Sequence, residues 1–254
     1  MPLARAYAGT QMSSFSSSRM PDPGEHGLST TDARILAVKR RLLREASTAV
    51  SMLERALISL WDLDVAAGKA VRMADDGIDE EEVRIEQECH EILTLHHPYA
   101  RDFRNISFIL KVNADVERIA DHSCSIAKIV GRIANADPNP PAWPMALTEL
   151  GVRVPTMCHQ VLRAVLDDDT ELARQVVASD EIIDQLDRRL FEEVLEMLRA
   201  RDSDQSRAVA MYIYRVGREL ERVGDLSAGI AEDLIYLCTG VIVRHTKKRN
   251  RKGT

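Results

Sequence analysis

VERIADHSCSIA at residues 116–127 returns as LERVGDLSAGIA at residues 220–231. Glu117, Arg118 and Asp121 become Glu221, Arg222 and Asp225 at an offset of 104 residues. Ser123, Ile126 and Ala127 become Ser227, Ile230 and Ala231. An internal repeat constrains the architecture before any local signal does. The echo extends upstream: Asp64, Val71, Asp75, Ile78 and Asp79 match Asp169, Val176, Asp180, Ile183 and Asp184 at an offset of 105. One residue of slippage fits a change in loop length. The chain therefore reads as two units of about 100 residues, a size that one core can support.

The composition suits helices. Of the 254 residues 45% are hydrophobic and only 4% aromatic, so the core must be aliphatic. Gly and Pro are sparse inside the repeats, while Ala, Leu, Val, Arg and Glu are abundant. A net charge of −6 argues against a general nucleic-acid binder. Cys89, Cys124, Cys158 and Cys238 form no zinc-type spacing and read as reduced, mostly buried thiols of a cytoplasmic protein. No apolar run reaches the 18 residues expected of a membrane span. Residues 1–31 are rich in Ser, Pro and Gly, lack a signal-peptide core and read as a disordered extension. Met12 and Met20 leave the start open. Residues 244–254, RHTKKRNRKGT, carry six Lys or Arg in eleven residues. They read as a solvated basic tail, or as one that grips an anionic membrane or an acidic partner.

Four of the nine prolines fall in residues 134–146, ANADPNPPAWPMA, which reads as a linker. It separates a first repeat at 32–133 from a second at 147–243. Each repeat is predicted to hold three antiparallel helices. They are expected near 33–74, 79–97 and 100–133, then near 147–178, 181–200 and 205–240. The third helices carry the clearest seams. Ile109, Val112, Val116, Ile119, Ser123, Ile126, Val130 and Ile133 step by 3 and 4 in alternation. So do Val209, Ile213, Val216, Leu220, Val223, Ser227, Ile230, Leu234, Leu237 and Val241. Such spacing makes a narrow apolar stripe, as in coiled coils and up-down bundles. Ala120, Cys124 and Ala127, matched by Gly224, Ala228 and Ala231, are small enough to let a neighbouring helix approach. The fold class expected is all-α: two tandem three-helix bundles.

No GxGxxG, P-loop, HExxH or GxSxG motif is present, and no nucleophile–base set stands out. The sequence offers carboxylates instead. Glu117/Asp121 and Glu221/Asp225 stand four apart, so each pair projects from one helix face. Asp75/Asp79 and Asp180/Asp184 add two further pairs in register. With 40 acids in 254 residues, about six such pairs arise by chance, so spacing alone is weak. Repetition of the whole Glu-Arg-x-x-Asp string is the stronger signal. Relative to the seam the four third-helix acids are expected on the outer, exposed side. One reading is a solvated face in which Arg118 and Arg222 pair with Asp121 and Asp225. The other is two symmetric cation sites, whose oxygen-only ligands suit Mg²⁺, Mn²⁺ or ferric iron. His96, His97 and His122 each read as capping or surface residues. His122 lies near the first pair, but its counterpart is Leu226.

These strings together resemble the PhoU family of accessory regulators of bacterial high-affinity phosphate uptake. The likeness spans residues 33–245. It rests on HHPYARDFRNISFILKVNADVERIADHSCSIAKIV in the first repeat and RVGRELERVGDLSAGIAEDLIYLCTGVIVRH in the second. Pro98, Ala100, Asp102 and Arg104 make a Pro-x-Ala-x-Asp-x-Arg element, and Tyr236 to Gly240 a Tyr-Leu-x-Thr-Gly end. The resemblance implies two three-helix bundles. It also implies E(D)xxxD motifs that hold metal clusters, mapped here to Glu117/Asp121 and Glu221/Asp225 and further to Asp75/Asp79 and Asp180/Asp184. The ions expected are Fe, Mn, Mg or Zn. Two departures stand out: Ala120 replaces the common Gly that Gly224 keeps, and the second repeat lacks the Pro-x-Ala-x-Asp-x-Arg element.

The function implied is non-enzymatic. It is negative regulation of the phosphate-starvation response, by a metal-binding adaptor between the ATPase subunit of the phosphate ABC transporter and a sensor histidine kinase. Such a protein would meet the membrane through its partners, would not bind nucleic acid, and could form a homodimer. Two alternatives remain. A carboxylate-bridged metalloenzyme would pair Glu with Glu-x-x-His inside a bundle, and no Glu-x-x-His is present. A metal-free helical scaffold would use its acids only for solvation.

Overall fold

The computed structural model describes residues 30–96, 99–137, 139–200 and 203–243. The disordered extension expected before residue 30 and the basic tail after residue 243 lie outside the described residues. Within them the chain is helical and no strand occurs. The elements are α1 (Thr30–Trp61), α2 (Val65–Met73), α3 (Asp75–His96), α4 (Ala100–Ala136), α5 (Met145–Asp167), α6 (Thr170–Arg199) and α7 (Asp204–Thr239). The order α1, α2/α3, α4 repeats as α5, α6, α7. In the first repeat the second helix is broken at Ala74, and in the second it runs on as α6.

The expected ends of each first helix require correction. The 3.6-residue pattern runs on to 74 and 178, but the helices stop at Trp61 and Asp167. Leu63 and Asp168 both take a left-handed φ of 51°. The N–H of the next residue then reaches back, from Asp64 to Ser59 O and from Asp169 to Ala164 O, each at 2.9 Å. That closes the helix C-terminus. The same two aspartates open the following helix. Asp64 accepts from the N–H groups of Ala66 and Ala67, and Asp169 from those of Glu171 and Leu172. A side-chain oxygen is thereby given to backbone donors that have no partner within the helix.

The seams of the third helices are buried. All eight seam residues of α4 are buried, as are those of α7 from Val209 to Leu234; Leu237 is half-buried and Val241 lies exposed beyond the helix. Gly240, at φ +72°, ends α7 where a side chain would be strained. α4 and α7 pack against each other, and α1 packs against α5. Among the described residues the outer helices α2, α3 and α6 pack chiefly on the helices of their own repeat. Buried side chains from both repeats form one continuous core. The segment joining α4 to α5 is anchored to this core. Its Trp143 stacks edge-on against Trp61 of α1, with ring centroids 5.2 Å apart.

At the junction of the repeats, His122 Nδ1 of α4 lies 2.7 Å from Glu219 Oε2 of α7, and both side chains are largely buried. Burial acts to raise the Glu219 pKa, but the hydrogen bond and charge of His122, with Arg222 and Arg215, outweigh it and lower it. His122 is therefore a bridging residue rather than a surface one.

Candidate metal centre

The two repeats each place a group of acids between the second and third helices. In the first, Asp75 and Asp79 of α3 face Glu117 and Asp121 of α4. Their charges act on one another: Glu117 feels Asp121, Asp79 and Asp75, while Asp75 feels Asp79 and Asp121. In the second, Asp180 and Asp184 of α6 act in the same way on Asp225 of α7. All eight carboxylates singled out by the repeat are thus brought together as two sets of four.

The second set is the tighter one. Ligand oxygens of Asp184, Glu221 and Asp225 lie within 4.8 Å of one another, the one such trio among the described residues. Gly224 favours this closeness. A Cβ at that position would lie 3.1 Å from Ile183 Cγ2, and Ile183 adjoins Asp184. In the first repeat Ala120 carries the Cβ that Gly224 lacks.

The expected exposure holds for half of the third-helix acids. Asp121 and Asp225 are exposed, whereas Glu117 and Glu221 are half-buried, as are Asp75, Asp180 and Asp184. The reason is the second helix, which covers the inner carboxylate of each pair. The expected local ion pairs are not the ones formed. Arg118 turns back to Asp115 at 3.6 Å and Arg222 to Glu219 at 3.9 Å, away from Asp121 and Asp225.

A fifth matched pair completes the groups. Glu82 and Asp187 stand at the same offset of 105 on α3 and α6. Glu82 acts on Glu117, and Asp187 on both Glu221 and Asp225. Identity matching overlooks this pair because one member is Glu and the other Asp.

Burial and like charge push several of these acids up together. Glu117 is raised by burial, then by Asp121 and Asp79. Asp225 is raised by burial, then by Asp180 and Asp184. Glu221 is raised by burial and Asp225, against the opposing charge of Arg218. Asp75 is raised by burial, with a hydrogen bond from Cys124 opposing. Glu82 is raised by burial and by Glu86. Crowded carboxylates with raised pKa values are what a bound cation relieves. In addition, Glu221 Oε2 and Asp187 Oδ1 are buried without a hydrogen-bond partner. The residues present therefore fit a hard, oxygen-liganded cation.

The groups differ in their surroundings. Arg218 Nη1 of α7 donates to Asp187 Oδ2 at 2.9 Å and lies 3.1 Å from Glu221 Oε1. Its counterpart in the first repeat is Ala114. The first repeat instead has Glu45, projecting from α1 and only 4% exposed. Its counterpart is Leu150, a core residue. Burial drives the Glu45 pKa up to about 8, helped by Glu81, Glu82 and Glu117 and opposed by Arg41.

The Pro-x-Ala-x-Asp-x-Arg element lies elsewhere. Pro98 and the side chain of Ala100 fall outside the described residues. Asp102 and Arg104 stand in the first turns of α4, and Arg104 lines a cavity of about 310 Å³ against the end of α7, which is not part of either acidic group.

Comparison with known proteins places these features in context. A family model, the PhoU domain, matches residues 42–130 and again residues 147–234. A phosphate-specific transport system accessory protein PhoU homolog of Pseudomonas aeruginosa is 30% identical over 216 residues, covering 84% of this chain and 87% of that protein. The homolog of a Burkholderia species is 27% identical, covering 87% and 94%. Among solved structures, PhoU from Pseudomonas aeruginosa superposes with a TM-score of 0.78 at 28% identity, covering 82% of this chain and 99% of that one. The phosphate transport system regulatory protein PhoU from Streptococcus pneumoniae gives 0.76 at 25% identity, covering 84% and 99%.

Proposed function

The chain belongs to the PhoU family, and from that membership we propose that it is a negative regulator of high-affinity phosphate uptake and of the phosphate-starvation response. The observation that carries this reading is the doubled PhoU domain over most of the chain, shared with relatives whose names place them with the phosphate-specific transport system. In this role the protein acts by contact rather than by catalysis. It connects the ATPase subunit of the phosphate ABC transporter to a sensor histidine kinase. It meets the membrane through these partners; among the described residues no helix is long and apolar enough to cross a membrane.

Metal binding is the second part of the proposal. Two groups of five carboxylates, in register between the repeats, would hold Fe, Mn, Mg or Zn ions at the edges where α3 meets α4 and α6 meets α7. The ion would neutralise crowded acids and tie the second and third helices of each repeat together. An oxygen-only ligand set favours hard cations.

A clean deletion tests the regulatory role. Loss of the chain is expected to switch on phosphate-scavenging genes in phosphate-rich medium, measured as transcript abundance. Unchanged repression, in a strain with no second member of the family, would count against it.

A further inference from the structure

The Pro-x-Ala-x-Asp-x-Arg element ends on a cation that neither acidic group uses. Arg104 is half-buried near the start of α4. Its side chain makes no hydrogen bond or ion pair among the described residues, and its Nε is buried without a partner. A guanidinium offers five N–H donors, and leaving a buried donor unpaired is costly. Arg104 lines the cavity of about 310 Å³ between α4 and the end of α7. The walls around it are aromatic and aliphatic: Phe103 and Phe108 from α4, Tyr236 and Leu237 from α7, then Ile242 and Val243. Phe103, Tyr236 and Ile242 are exposed. The other charges of the cavity are engaged. Lys111 pairs with the buried Asp233, and Glu232 has interactions of its own. Positive charge continues outside. Arg101 is exposed one turn earlier on α4, and residues 244–254, which follow Val243, hold six Lys or Arg. The matching end of the molecule is built differently. At the offset of 104, Ala208 stands for Arg104, and the counterpart of Tyr236 is Arg132. Its guanidinium carbon lies 5.8 Å from the ring centre of Tyr212, the counterpart of Phe108. There cation and ring satisfy one another.

We propose that this cavity is the docking site for an acidic segment of a partner protein, with one carboxylate on Arg104 and a neighbouring apolar side chain between Phe103, Phe108 and Tyr236. The chemistry of the walls sets both requirements. A guanidinium takes a carboxylate in a forked, charge-assisted contact, and apolar walls around that contact gain by excluding water. A bare anion would leave the walls wet, and a wholly apolar segment would leave Arg104 unpaired. A flat anionic membrane would meet the exposed rim without reaching into the cavity. Arg101 and the cations after Val243 would act chiefly on the rate of association. The docking site rests on the adaptor role proposed above. An adaptor needs two contact surfaces, and this one lies apart from both acidic groups.

The test uses the full chain. Overlapping fluorescent peptides tile the cytoplasmic sequences of the transporter's ATPase subunit and of the sensor kinase, and binding is read by anisotropy. The peptides that bind are expected to carry Asp or Glu beside an aliphatic or aromatic residue, and replacing that acid by Asn or Gln should abolish binding. Arg104→Ala should weaken them by about tenfold or more, while Arg104→Lys keeps part of the affinity. Phe103→Ala changes an exposed residue, so it leaves the fold in place, and it should weaken binding several-fold. Removing residues 244–254 should weaken binding at low salt and matter little at high salt. Phosphatidylglycerol vesicles form a separate arm, in which binding should not depend on Arg104. The assignment fails if no peptide binds, if Arg104→Ala binds like wild type, or if Arg104 is needed for vesicles and not for peptides. It also fails if removing residues 244–254 strengthens binding, because the chain's own end would then fill the cavity. The regulatory role is judged by the deletion strain, so each can fail without the other.

Discussion

Glu45, Glu117, Glu221 and Asp225 are all held above their ordinary range by burial first and by neighbouring acids second. An acid raised in the folded state binds its proton more tightly there than in the unfolded chain. Stability is then present below the unfolded value and is lost as pH rises through the folded one. For Glu45 that window runs from about 4.5 to about 8. Metal-free protein is therefore expected to lose stability between these limits, measured by denaturant unfolding at a series of pH values. Glu45→Gln should flatten that slope, and a slope unchanged by the substitution would show that another group sets it. Glu219, lowered instead by His122 and its flanking arginines, works in the opposite sense and its contribution fades only in acid. At this scale the sequence was informative where the two repeats spell the same residue. The eight acids of the four pairs were legible because identity at a fixed offset marks them. Glu82 and Asp187 were hidden by a change of residue type. Glu45 and Arg218 were hidden for a deeper reason: Leu150 and Ala114 stand in their places, so no repeat signal exists for them.

The helices themselves follow from pattern and caps in different degrees. Seam spacing located α4 and α7 well, since a 3/4 alternation over thirty or so residues has few other solutions. It misplaced the ends of α1 and α5 because the apolar period continues across the turn at Leu63 and Asp168. Asp64 and Asp169 carried the missing information. They were visible as repeated residues, but their role as caps follows only from the geometry around them. Each satisfies two backbone donors, so Asp64→Ala and Asp169→Ala are each expected to destabilise the protein by about 1 kcal/mol, measured by equilibrium denaturation. Asp64→Asn and Asp169→Asn should retain most of that stability, since Asn caps about as well as Asp. Loss well below this in the Ala variants would mean that the left-handed residue before each cap, not the cap, stops the helix. The closeness of α6 and α7 rests on two glycines of α7: a Cβ at Gly217 would lie 2.0 Å from Leu190 Cδ2, and one at Gly224 3.1 Å from Ile183 Cγ2. Ala120 at the matching place agrees with the looser first group, a difference readable in sequence only once the packing is known.

Across the whole molecule, α4 and α7 form the centre, with one core shared by both repeats and the acidic groups at the outer helix junctions. This arrangement sets the acidic groups apart from the apolar core. The core is built from the buried seams, and the His122–Glu219 pair bridges the repeats beside them. The carboxylate groups lie beside the core and are not among its apolar side chains. Neutralising the four third-helix acids should therefore leave a folded chain, and one that is more stable without metal because like charges are removed. Regulation should be lost with them if these groups are the working surface of the protein. The direct measurement is transcript abundance of phosphate-scavenging genes in phosphate-rich medium. It would be made in a strain whose only copy of the chain carries Glu117→Gln, Asp121→Asn, Glu221→Gln and Asp225→Asn. Wild-type helix content and abundance of the variant are confirmed alongside. Derepression close to that of the deletion strain is the expected result. Full repression by the folded variant would contradict the claim that the paired carboxylate groups carry the function.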